Sequence, residues 1–179
     1  MWNYIRHFIL RLLGGHHYDY QQALEKYGYA LIQPATDLHR LTMVLPYILS
    51  KAMRLEEASI MILDPKAGNY RVHAVDGKCE LDGQIIGADT LLVRELLARR
   101  KELAEKGEND AIASEMKKLG AQLIIPAIVA DQRFPKPTLL FSLNLGTRIS
   151  GEAYNREDVS FLTHFVSQIA ANLETAFTS

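Results

Sequence analysis

The chain has 179 residues, 48% of them hydrophobic and 23% charged, which is enough apolar material for one globular domain with terminal extensions and too much for a disordered chain. Lys and Arg number 20 against 21 Asp and Glu, a formal net charge of -1, so no overall field steers the protein toward nucleic acid and none is expected as a partner. The single cysteine, Cys79, excludes an internal disulfide and a zinc site built on cysteines, and suits a reducing compartment, so a cytoplasmic setting is expected.

At the N-terminus, Trp2, Ile5, Ile9 and Leu12 follow helical spacing, with Tyr4, Arg6 and Arg11 beside them. The run falls short of the roughly 20 apolar residues that span a bilayer, and it lacks the uncharged core and cleavage site of a signal peptide. Two readings stay open for residues 1–13: a helix packed on its own domain or a second subunit, or one lying near a membrane surface. Tyr20, Leu24, Tyr27 and Leu31 predict a further helix that Pro34 ends, which places an extension at 1–35 and the main domain at 36–179. Asp37 then offers a cap to a helix whose apolar stripe is Leu38, Leu41, Leu45, Ile48, Ala52 and Leu55. Pro46 inside it predicts a kink or a shorter helix.

A hairpin follows. Ala58 to Leu63 is an apolar run of strand length, DPKAGN supplies turn residues, and YRVHAV alternates as a half-buried strand does. A short strand is expected within ELDGQII. Asp89 is expected to cap a helix reaching Lys106, with Leu92, Val93, Leu96 and Leu103 inward and the pairs Glu95–Arg99 and Glu102–Lys106 outward. A second short helix from about Asp110 to Leu119 buries Ile112, Met116 and Leu119 and ends at Gly120. The Lys/Glu-rich stretch 99–118 reads as a solvated face.

Leu123 to Val129 and Leu139 to Leu145 are too continuously apolar to have one face in water, which marks them as central strands covered by helices on both sides. Asn155 caps the last helix, with Asp158 at the reciprocal position of a capping box. Val159, Leu162, Val166, Ile169, Leu173 and Ala176 then repeat at heptad spacing. The seam serves either a second subunit or the domain's own sheet. There is no internal repeat or Gly/Ser-rich linker, and hairpin connections argue for an antiparallel sheet in an α+β fold.

The run LIIPAIVADQRF…LLFSLNLGTRISGEAYNREDVSFLTHFVSQIAANLETAF resembles the closing half of a GAF domain, with its strand, turn, strand, LG-x-x-x-SGE-x-Y loop and final helix. LHRLTMVLPYILSKAMRLEEASIMILDPKAGNYRVHAVDG is similar to that family's opening helix and hairpin, and HHYDYQQAL to the linker before GAF domains in membrane-bound sensor histidine kinases. The resemblance covers residues 36–177. It implies a central antiparallel sheet of about five to six strands, GAF/PAS-like, with the N- and C-terminal helices on one face and shorter helices over a small-molecule pocket on the other. That pocket would be roofed by Leu92, Leu96, Ile112 and Met116, and Ser142 and Asn144, two apart on a central strand, would belong to its floor. Those two polar side chains need partners, either a ligand or neighbouring protein.

The family's better-defined chemistries do not fit. Cys79 is followed by Glu80 where bilin-attaching members carry histidine, and a lone thiol cannot run a methionine sulfoxide reductase cycle. The Asn-Lys…Phe…Asp-Glu signature of cyclic-nucleotide binders is missing, and no bilin, haem or metal is expected. His16 and His17 are adjacent and diverge, while His39 and His164 lack a ligating neighbour one helical turn away. His73 is the one histidine expected near the pocket, as a ligand contact. No Ser-His-Asp order, glycine-rich phosphate loop or deaminase pattern occurs, so no enzyme is expected.

The resemblance therefore implies a non-catalytic sensory or regulatory module of a signal-transduction protein, such as a sensor histidine kinase of a two-component system or a diguanylate cyclase. It would bind a small molecule or relay a signal through a helical homodimer interface formed by Val159, Leu162, Val166, Ile169 and Leu173, and bias an output kinase or cyclase domain. The alternative is a dimerisation spacer with no ligand.

Overall fold

The computed structural model describes residues 38–75, 79–130 and 136–176. The expected N-terminal helices, the 35/36 boundary and the Asp37 cap lie outside these residues, as do the side chains of Leu38, His39, Leu41, Cys79 and Leu173. Helix α1 (Leu38–Met53) leads into a hairpin of β1 (Ala58–Asp64) and β2 (Asn69–Val75), then β3 (Ile85–Ile86), α2 (Leu91–Arg99), β4 (Leu103–Ala104), α3 (Asp110–Lys118), β5 (Leu123–Val129), β6 (Thr138–Leu145) and α4 (Arg156–Ala176). The strands form one antiparallel six-stranded sheet in the order β3-β2-β1-β6-β5-β4.

Period-two alternation along the strands divides the sheet into two faces, and both are buried. On one face Ile60, Ile125 and Leu143 join α1 residues Leu45, Ile48 and Leu49 and α4 residues Leu162, Phe165 and Val166 in a first core. On the other, Met61, Val72 and Ile124 join Leu92, Leu96, Ile112 and Met116 of α2 and α3 in a second. The near-continuous apolar character of β1, β5 and β6 follows, since each residue meets one helical layer or the other. A bulge in β6 adds to this. Ala127 opposes Phe141 and Ile128 opposes Leu139, so Leu140 is the extra residue and the alternation resets across it. Phe141 consequently enters the first core and Leu139 the second.

Local chemistry sets the boundaries. Asp64 Oδ1 accepts from the backbone N–H groups of Lys66 and Ala67, and Gly68, at φ 71°, closes the β1–β2 turn. Helix α1 continues through Pro46, which is buried, and stops at Met53 because Arg54 takes the left-handed conformation at φ 53°. Leu55, expected as the last residue of the helical stripe, lies beyond that stop and bridges to Arg148. Pro126 sits on β5 past the point where β4 ends, for β4 reaches only Leu123 and Ile124, so its missing N–H removes no bond on that side.

The helix expected to run to Lys106 is shorter. Thr90, not Asp89, is its N-cap, and Arg100, left-handed at φ 53°, ends it. Leu103 then pairs with Ile124 as an edge strand, a long-range pairing that outweighs a further stretch of marginal helix. Glu95–Arg99 forms as expected at 2.9 Å, while Glu102 and Lys106 fall outside the helix. The expected strand in ELDGQII reduces to Ile85–Ile86 after a 3-10 turn at Cys79–Leu81.

Candidate functional site

The α2/α3 face is where the sequence places a pocket. Leu92, Leu96, Ile112 and Met116 are brought together there, but they are at most 2% exposed and pack on strand side chains and on each other. With those strand side chains they make up the second core. Below them Ser142 Oγ donates to Asn144 Oδ1 at 2.9 Å, and Asn144 Nδ2 donates to Ser59 Oγ at 3.0 Å. Ser59 stands opposite Asn144 on β1, so the two polar residues singled out on β6 are satisfied by a third that sequence reading missed. Its signal was a serine inside an apolar strand. Tyr70, also on this face, donates its hydroxyl to the Leu139 carbonyl at 3.0 Å.

His73 is not part of this cluster. It stands opposite Ile60, whose side chain enters the first core, so His73 belongs to the α1/α4 face of the sheet and not to the expected pocket face. Alternation in YRVHAV showed that Tyr70, Val72 and Ala74 oppose His73; it did not show which set faces α2.

Two grooves open to solvent flank α4. The larger, about 680 Å³, is lined by Tyr154, Asn155, Arg156, Thr163 and His164 among others; the smaller, about 410 Å³, lies between Arg100–Glu102, the edge of β5 and Thr163, Ser167 and Ala170. Their size would hold a small molecule, but their walls lack the enclosed apolar lining that buries one, and neither includes any residue expected to bind a ligand. Among the described residues no group of three His, Cys, Asp or Glu could hold a metal, and no helix is long and apolar enough to cross a membrane.

No protein-family model matches the sequence, and no curated protein matches it. Solved structures do. The GAF domain of a phosphoenolpyruvate-protein phosphotransferase from Coxiella burnetii superposes with a TM-score of 0.62 at 15% identity, over 97% of this chain and 96% of that one. A GAF domain/HD domain protein from Geobacter sulfurreducens gives 0.60 at 14% identity, over 80% and 96%. The phycoerythrobilin-bound GAF domain of a cyanobacterial phytochrome gives 0.57 at 12% identity, over 87% and 94%. The chain has the GAF-domain fold.

Within the GAF fold the loop between β6 and α4 is a structural clasp. The Tyr154 hydroxyl donates to the Gly146 carbonyl, and the Arg148 guanidinium lies 5.0 Å from the Tyr154 ring centre while bonding Asp158 at 2.6 Å. Asp158 also accepts from the Asn155 N–H at 3.0 Å, and Asn155 Oδ1 accepts from the Asp158 N–H at 2.8 Å, which completes the expected capping box. Gly146 lacks a side chain because that of Glu57 occupies the place of a Cβ, and Glu57 also lies against Gly120, which is held at φ 64°. Residues of the segment 146–158 thus fasten the last helix to the sheet.

The heptad seam of α4 faces inward. Leu162, Val166 and Ile169 are no more than 5% exposed within the first core, and Val159 packs beside them. These four were expected at a dimer interface; a seam that meets a sheet and one that meets a second helix need the same spacing, and here the sheet takes it. Among its described side chains, those that α4 exposes to solvent are polar, Ser160, Thr163, His164 and Ser167 along the middle of the helix and Arg156 and Glu157 at its start.

Burial pushes the Tyr70 phenol up from 10.0 to about 12 and raises that of Tyr154 as well. The unfolded chain releases these protons first, so the stability they carry is complete below pH 10.0 and declines as the pH climbs toward 12. Tyr70→Phe is expected to cost about 1 kcal/mol at neutral pH, through the lost bond to Leu139. It should also flatten the alkaline fall in stability, read from urea midpoints between about pH 8 and about pH 11.

Proposed function

We propose that the chain is a non-catalytic regulatory module of a larger signalling protein, one that relays a change of helix packing to an output kinase or cyclase domain. The observation that carries this reading is the first core, in which side chains of α1 and α4 belong to one buried cluster on one face of the sheet. A shift in either helix would act on the other through the strand side chains of that shared cluster, because close-packed cores have discrete packings instead of continuous ones. The structural neighbours support a modular role, since one is the GAF domain of a phosphotransferase and another belongs to a GAF domain/HD domain protein. The lone cysteine supports a cytoplasmic setting.

The version of this role without a resident ligand fits best. The α2/α3 face is filled by Leu92, Leu96, Ile112 and Met116, and Ser142 and Asn144 are bonded to protein. A homodimer remains in the proposal, and on α4 it would use the outward polar face instead of the buried seam.

Insertions after Ala176 in the parent protein test the relay. A seven-residue helical insertion preserves the phase of α4 and is expected to keep regulation of the output, while a four-residue insertion rotates it and is expected to lock the output in one state. Equal regulation in both would remove the reading.

A further inference from the structure

Helices α2 and α3 have nine residues each, too short to persist alone in water. The first N–H groups of a helix need partners from outside it. For α2, Thr90 Oγ1 accepts from the Val93 N–H at 3.5 Å, a long bond, whereas the Leu92 N–H donates to Glu115 Oε2 at 2.7 Å. The short, charge-assisted cap of α2 is therefore supplied by α3, 23 residues away. A second tie closes the other end. Arg99, in the last turn of α2, bonds Glu108 at 2.6 Å just before α3 begins, and the Glu108 side chain is only 6% exposed. The start of α2 is fixed to the body of α3 and the end of α2 to the approach to α3, so the helices run antiparallel and are laced at both ends.

Their connections to the sheet are unequal. The chain leaves α2 for β4 and leaves α3 through Gly120 for β5, and these two strands are paired neighbours at one edge. The third connection, into α2, comes from β3 at the opposite edge. There the packing is thinner, with Ile85 58% and Leu91 37% exposed.

We infer that α2 and α3 form a single flap, hinged on the β4–β5 edge, tethered at the β3 edge only by the short connection through Gly87–Thr90, and made rigid by the Glu115 and Arg99 ties. Opening α2 alone breaks both ties, strands the Leu92 N–H and exposes the apolar face shared with α3. Opening the pair breaks neither tie and keeps the face between the helices closed, while it uncovers Ile112 and Met116 together with Leu92 and Leu96. The motion proposed is the joint one, which couples whatever touches α2 to whatever touches α3.

Hydrogen exchange of the whole chain at rising sub-denaturing urea tests this. The α2 and α3 amides, Leu96 and Met116 for example, are expected to merge into one exchange isotherm below the global one followed by Phe165 of α4. Glu115→Ala should then speed exchange in both helices alike, by roughly tenfold or more, and Glu115→Gln, which keeps an acceptor oxygen, should recover most of the loss. Separate isotherms for the two helices, or exchange of both only with global unfolding, would overturn the flap. So would a Glu115→Ala effect confined to the first turn of α2, no effect at all, or no recovery in Glu115→Gln. If Glu115→Ala does not fold, the wild-type isotherms alone decide.

Discussion

Ile169→Asp is expected to unfold the domain, and not to separate a pair of folded subunits. Ile169 is 5% exposed in the first core among Phe165, Val166 and Ala170. Burying a carboxylate in such an apolar place, together with the lost aliphatic packing, costs about 4 kcal/mol or more. Set against the roughly 5–15 kcal/mol that holds an ordinary domain together, this removes much or all of its stability. Circular dichroism during urea unfolding should show the loss to be independent of protein concentration, and Thr163→Asp on the exposed side of α4 should remain within about 0.5 kcal/mol of the parent. A variant that keeps its full helical signal and sediments at half the parent's mass would instead return the seam to a subunit interface.

Leu96→Ala carries the second large effect. Leu96 is fully buried between the sheet and α3, so truncation should cost roughly 2–5 kcal/mol, the range spanned by how far the neighbours relax. The space left is lined by Leu and Met and should stay dry and take up a small apolar probe such as benzene. Thermal unfolding is therefore expected to show a probe-dependent recovery in Leu96→Ala and none in the parent protein. If the parent itself gains stability from the probe, and the truncation costs less than about 1 kcal/mol, then Leu96 lines an existing cavity and the α2/α3 face is a pocket after all.

Local and periodic signals carried most of the fold. The change from continuous apolar strands to a 3.6-residue stripe located β1, β5, β6 and α4, the Asn155–Asp158 spacing located a helix start, and Gly120 a helix end. What was illegible depended on partners distant in sequence. Alternation fixes which residues of β2 share a face but not which layer covers it, hence His73. Heptad spacing is common to a seam and to a sheet-packed stripe, hence Val159, Leu162, Val166 and Ile169. Glu115 and Glu108 belonged to a stretch that read as solvated, and only the fold brings them to Leu92 and Arg99. The β6 bulge at Leu140 is likewise visible only in the pairing with β5.

Pro126 has a consequence beyond its own bond. From Ile125 onward the outer side of β5 has no strand beside it among the described residues, and an apolar edge of that length is a template on which another chain can continue the sheet. A proline in the middle of that edge offers an incoming strand a carbonyl but no N–H, so a regular ladder cannot propagate past it. The same residue whose missing N–H removes no bond toward β4 thus blunts this edge of the sheet against continuation by another chain.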